Sequence, residues 1–178
     1  MPCAFVAIGS NINPAENVRK ALRLLAHEVR LVGISTVYRT DPEGRPEQSP
    51  YYNCVIGIET DVPPKELKHG ILRRIEEELG RRRSEDQYAP RTIDLDLVLY
   101  GDLNSKTEDL TLPDPEILRR PFLAIPLGEL APDLTLAGSG LPMGEVAAKL
   151  SQEGMEALDR YTESLREEAR HGFKHGED

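Results

Sequence analysis

Between Pro90 and Gly101 the chain reads Arg91-Thr92-Ile93-Asp94-Leu95-Asp96-Leu97-Val98-Leu99-Tyr100, an aliphatic and β-branched run bounded by two chain-turning residues. Such a run predicts a buried β-strand. Successive strand side chains point to opposite faces. Asp94 and Asp96 are therefore predicted to share one face, about 7 Å apart along the backbone, with Ile93, Leu95, Leu97 and Leu99 on the other. Ionised groups leave water at high cost unless a cation accompanies them. A fold that buries this strand must bring positive charge to the two carboxylates, and two sources remain open. Nearby arginines can pair with both as a structural network. Alternatively, a hard divalent ion such as Mg²⁺ can take them as ligands and complete its shell with water and phosphate oxygens.

The segment just upstream, Gly80-Arg81-Arg82-Arg83-Ser84-Glu85-Asp86-Gln87-Tyr88-Ala89-Pro90-Arg91, adds the chemistry of an anion site. Guanidinium groups hold phosphate oxygens through paired hydrogen bonds and stay charged at any working pH. Arginines, a polar loop and two aspartates together suggest phosphoryl transfer. The chain as a whole is acidic, with 22 Lys and Arg against 31 Asp and Glu, a net charge of −9. Such a surface repels nucleic acid and anionic membranes, so a bound anion must sit on the local basic island at 81–91.

A length of 178 residues fits one domain with a real core. Only Cys3 and Cys54 occur, and His27, His69, His171 and His175 lack zinc-ligand spacing. Phe5–Ile8 is too short for a membrane span and has no basic leader, so a cytoplasmic protein is expected.

In chain order, Ala4–Gly9 predicts a strand and Asn13 an N-cap, with Pro14 at N1 and Glu16 at N3 of a helix running to about Arg30. Gly9-Ser10-Asn11 reads as a tight strand-to-helix turn or a phosphate cradle, without the spacing of a Walker loop. Two β-rich runs, 31–39 and 52–59, flank a Pro- and Gly-rich connection at 40–50, long enough to be a functional lid. A second helix opens at Val62-Pro63-Pro64, buries Leu67, Ile71, Ile75 and Leu79, and stops at Gly80. Met143–Leu150 predicts a short helix and 152–170 a charged helix with a thin apolar stripe, while 171–178 is expected to be disordered. The domain expectation is a core over 1–150 and a charged, helical or partly disordered tail over 151–178.

These motifs, with Tyr38-Arg39-Thr40, Tyr51-Tyr52-Asn53, Leu112-Pro113 and Arg120-Pro121-Phe122, resemble the signature of the 6-hydroxymethyl-7,8-dihydropterin pyrophosphokinase family over about 5–134. The resemblance implies an α+β, ferredoxin-like βαββαβ core with a mostly antiparallel sheet covered by helices. It implies transfer of a pyrophosphoryl group from ATP to a pterin alcohol, releasing AMP in folate biosynthesis. Asp94 and Asp96 would hold two Mg²⁺ ions, and Arg81 and Arg91 would serve catalysis. Glu76, Arg83 and Arg120 would meet ATP, and Thr40, Pro42, Tyr51, Asn53, Tyr88 and Phe122 the pterin. Asp114 stands where the family commonly has His, and Tyr88 where some members have Trp. ATP and pterin are the expected partners of a monomer, with the C-terminal tail as the surface for any dimer. A non-catalytic nucleotide or pterin sensor and a monophosphoryl kinase releasing ADP remain as alternatives, and no side chain stands out as general base.

Overall fold

The computed structural model describes residues 1–42 and 44–173. The core follows strand β1 (Cys3–Ser10), helix α1 (Pro14–Glu28), strands β2 (Arg30–Ile34), β3 (Tyr38–Thr40) and β4 (Tyr51–Glu59), helix α2 over 64–78, and strand β5 (Asp94–Tyr100). All neighbouring pairs are antiparallel: β5 with β1, β1 with β4, and β4 with both β2 and β3 along its other edge. This is the expected ferredoxin-like order, because each helical crossover skips one strand: β4 lies between β1 and β2, and β1 between β4 and β5.

Helix α1 carries Val18, Ala21, Leu22 and Leu25 to the sheet, where all four are fully buried. Asn13 occupies the N-cap position but is left-handed, φ 41°, and makes no side-chain cap, contrary to the expected capping box. Its carbonyl accepts from Asn17 N instead, and Asn17 Nδ2 donates to Ile12 O at 2.6 Å. The four-residue spacing of Leu67, Ile71, Ile75 and Leu79 outruns 3.6 residues per turn by about 40° at each step. A π-helical middle, Leu67–Leu72, between the α-helical ends Pro64–Glu66 and Arg73–Glu78, widens the turn and keeps the stripe on the sheet. The helix stops at Gly80 as expected, where Gly80 N and Arg81 N donate to the carbonyls of Glu77 and Glu76.

The sheet has helices on both faces. Val6, Ile8, Ile56, Leu95 and Leu97 meet α1 and α2, while Phe5, Ala7, Val55, Val98 and Leu99 meet helices α3 (Pro121–Leu130) and α4 (Met143–Ala148). Leu99 was expected beside Leu95 and Leu97. A bulge at Val98, where Val6 pairs Leu97 but Phe5 pairs Leu99, turns it to the opposite face. Two short strands, β6 (Ser105–Lys106) and β7 (Thr111–Leu112), form a separate hairpin.

The stretch expected to be one helix from 152 divides into strand β8 (Met155–Ala157), which pairs with β3, and helix α5 (Asp159–Arg170). Thr162, Leu165 and Phe173 are buried, so 171–173 are ordered against the core rather than frayed. The remainder of the segment expected to be disordered, 174–178, lies outside the described residues. Among the described residues no helix is long and apolar enough to cross a membrane.

Candidate active site

A cavity of about 790 Å³ opens on the sheet face that carries Ala7 and Val98, where α3 leaves the strands uncovered. One wall is β5, which presents Asp94 and Asp96 as predicted. The facing strands contribute Thr40, Tyr51 and Asn53, the start of α3 contributes Arg120 and Phe122, and the 81–91 loop contributes Gln87, Tyr88 and Arg91. Nine of the thirteen residues singled out from the sequence thus line one cavity. Arg81, Glu76 and Arg83 line an adjoining concavity of about 340 Å³, and Pro42 lies beside the lining residue Asp41 without reaching the cavity itself.

The two aspartates are held differently. Arg81 Nη1 donates to Asp94 Oδ1 at 2.8 Å and Arg91 Nη1 to Asp94 Oδ2 at 2.8 Å. Arg81 is itself pinned from behind by Glu76, which is 5 % exposed and also accepts from Leu95 N at 3.0 Å. Asp96 makes no ion pair among the described residues, so the arginine-network reading holds for one carboxylate and fails for the other. Asp96 reaches the cavity solvent yet stands on a floor walled by protein. Burial, and then the nearby charges of Asp94 and Glu76, push its carboxyl up to about 7. Glu76, Asp94 and Asp96 gather here with Arg81 and Arg91, and Arg83 stands 3.7 Å from Glu76, so that of the three carboxylates only Asp96 lacks an ion-pair partner among the described residues. An all-oxygen pair facing an open polar cavity fits a hard divalent ion. Asp94 can still participate, because a carboxylate has about four lone-pair positions and the arginines take two.

The charged loop is anchored to β1. Asn11 is 5 % exposed; its Oδ1 accepts from Arg91 N at 2.8 Å, and Ser10 Oγ donates to Thr92 O at 2.6 Å. Of the two readings of Gly9-Ser10-Asn11, the turn is the one formed, and these side chains clamp the arginine loop. Gln48 from the 40–50 connection joins them, accepting from Asn11 Nδ2 at 3.2 Å and donating to Tyr88 O at 2.7 Å. Arg45 pairs with Asp86 across the same two loops. Sequence reasoning missed Gln48; its polarity inside a predicted lid was the available signal.

At the other end the polar groups are neutral. Asn53 Nδ2 donates to Thr40 Oγ1 at 2.7 Å, and Asn53 Oδ1 lies over Gly9, where an added Cβ would come within 2.8 Å. Only glycine at position 9 lets that amide lie flat on β1. Tyr51 and Phe122 supply aromatic walls, and burial raises the Tyr51 phenol. Arg120 Nε donates to Glu116 Oε2 at 2.8 Å, and its guanidinium lies 5.8 Å from the Phe122 ring centre. Asp114 accepts from Glu116 N at 2.9 Å, capping the turn Pro115–Leu118. The Asp114 carboxylate therefore has a structural occupation.

The fold and the cleft together define a ferredoxin-like α+β protein whose cavity is aromatic and amide-lined at one end and lined by arginines and aspartates at the other. The family model for 7,8-dihydro-6-hydroxymethylpterin-pyrophosphokinase (HPPK) matches residues 5–132, and the chain belongs to that family. It is 39% identical over 142 residues to the 2-amino-4-hydroxy-6-hydroxymethyldihydropteridine pyrophosphokinase of Haemophilus influenzae, covering 78% of this chain and 88% of that protein. The Bacillus subtilis protein of the same name is 39% identical over 130 residues, covering 71% and 77%. The crystal structure of Plasmodium falciparum HPPK-DHPS shares the fold at a TM-score of 0.68 and 13% identity, covering 88% of this chain. This chain spans about half, 47%, of that one.

Proposed function

We propose that this chain transfers the pyrophosphoryl group of ATP to the hydroxymethyl group of 6-hydroxymethyl-7,8-dihydropterin in folate biosynthesis. The observation that carries the reading is the Asp96 carboxylate, without an ion-pair partner among the described residues, beside arginine-clamped Asp94, at the junction of a basic loop and an aromatic, amide-lined pocket. Tyr51 and Phe122 sandwich the pterin, Asn53 and Thr40 pair with its lactam and amino groups, and Pro42 and Tyr88 close over it. Arg83 and Arg120 hold the nucleotide phosphates. Glu76 stands at the nucleotide end, where it orients Arg81 and lines the adjoining concavity with Arg83.

Asp94 and Asp96 would hold Mg²⁺, two ions in this reading, and the metal would supply positive charge to offset that of the triphosphate. The pterin hydroxymethyl oxygen attacks the β-phosphorus, the bond from that phosphorus to the bridging oxygen of the α-phosphate breaks, and AMP departs. Arg81 and Arg91 swing part of their hydrogen bonding from Asp94 to the transferring group, offsetting the charge that builds there. The hydroxyl proton goes to solvent, and positioning supplies most of the acceleration. The working unit is a cytoplasmic monomer, a reducing setting that suits the deeply buried Cys54 thiol, which burial pushes up to about 12.

The test is to incubate the protein with ATP, Mg²⁺ and the pterin alcohol and to resolve the nucleotides by chromatography. Pterin-dependent AMP that disappears on chelation is the expected result. ADP would reassign the chemistry to monophosphoryl transfer, and binding without turnover would make the protein a sensor.

A further inference from the structure

The C-terminal segment 153–162 lies beyond the residues 5–132 that match the family model, yet Glu153, Gly154 and Met155 line the cavity. Its reach follows from how weakly β3 is otherwise held. That strand has three residues, and Ser35–Val37 interrupt its continuity with β2. On one side β3 pairs with β4, and its other edge is covered by β8, with Tyr38 opposite Ala157 and Thr40 opposite Met155. Backbone groups deprived of water need such partners, so the segment completes the hydrogen bonding of 37–41. Val37 N donates to Thr162 Oγ1 at 2.9 Å, Leu158 N to Val37 O at 2.9 Å, and Asp41 N to Gly154 O at 3.3 Å. Gly154 has φ +76°, and a Cβ added there would meet Asp41 Oδ2 at 2.9 Å.

We infer that this C-terminal segment is a positioning element for pterin binding, setting the Thr40–Asp41 wall of the cleft through β8 and Thr162. The inference rests on the pterin reading of that end of the cleft. Thr40 accepts the Asn53 amide that fixes the polar floor, so any shift of β3 carries over to that amide. The arginine loop is tied to β1 by Ser10 and Asn11, and its contacts with the 40–50 connection come from Arg45 and Gln48, several residues beyond the stretch that pairs with β8. The segment therefore acts first on the neutral end of the cleft, where its contacts with β3 lie, and more strongly there than on the arginine loop.

Two full-length variants test this. Gly154→Ala forces a side chain into a left-handed position against Asp41, and Thr162→Val removes the acceptor of Val37 N–H at a site remote from the cavity while keeping its volume. Steady-state kinetics with each substrate varied are compared with direct fluorescence titration of the pterin. The expected result is a rise in pterin KM and Kd of about ten-fold for Gly154→Ala and about three-fold for Thr162→Val, with the KM for ATP within two-fold of wild type. Unchanged pterin binding in both folded variants would overturn the inference, as would an equal rise in both KM values. If Gly154→Ala fails to fold, Thr162→Val decides alone. The wild-type control separates the two layers of argument: absence of pterin-dependent AMP there defeats the functional reading, whereas an active wild type with indifferent variants defeats only this one.

Discussion

The two ends of the cleft are built on opposite principles. At the charged end, Arg81 and Arg91 come from or beside a loop and are held by ion pairs with Asp94 and Glu76. At the neutral end, Thr40, Tyr51 and Asn53 stand on paired strands, and a glycine sets the close approach of the amide. Ion pairs can be exchanged for ligand charges, whereas strand register cannot be exchanged for anything. The charged end is thus built from contacts that can rearrange, and the neutral end from contacts fixed by strand register.

The largest effect that would sharpen this contrast comes from Asp96→Ala. Turnover is expected to fall by at least about 10³, because the metal contribution at stake amounts to several kcal/mol. Near-normal AMP formation in that variant would remove Asp96 from the chemistry. Next, Arg91→Ala is expected to lower kcat on the order of 10²–10³, the usual cost of losing one donor to developing charge, with pterin Kd little altered. An effect confined to pterin Kd would place Arg91 at the wrong end. Gly9→Ala probes the neutral end: the displaced Asn53 amide is expected to raise pterin KM about ten-fold and spare ATP, an order of magnitude being the value of one misplaced hydrogen bond of roughly 1.4 kcal/mol. Equal changes for both substrates would erase the distinction.

The smallest effect is on stability. Since the Asp96 carboxyl is raised above its ordinary range, mainly by enclosure, the folded protein favours its neutral form. That contribution is fully present below about pH 4 and is lost as pH rises through the neutral region. In metal-free buffer Asp96→Asn is therefore expected to melt higher than wild type at pH 8 and to lose that advantage towards pH 4. Thermal melts across this range, repeated with added Mg²⁺, read it directly. A difference independent of pH would mean that Asp96 is not electrostatically frustrated.

Much of this was legible in the residues. The aspartate-bearing strand, the two helices and the basic loop follow from period, caps and charge, and the shared face of Asp94 and Asp96 follows from alternation alone. Leu99 escaped because a bulge depends on the register with β1, which no single strand encodes. Asn13 escaped because its backbone turned left-handed and another asparagine, Asn17, took up the local hydrogen bonding. The segment 155–157 escaped because three residues carry almost no periodic signal; the exposed edge of β3 recruits them.

By itself, then, the sequence determined which chemistry is available: two carboxylates on one strand face, arginines next to them, and aromatic and amide groups on another strand. Only the tertiary structure decided how that chemistry is divided. Nothing local distinguishes Asp94 from Asp96, since both occupy equivalent positions on the same face. Distance to Arg81 and Arg91, with the Glu76 carboxylate behind Arg81, gives the first carboxylate two ion pairs and leaves the second with none among the described residues. Electrostatic pairing depends on separation in space, and residues 76, 81 and 94 become neighbours only when α2 is packed against β5.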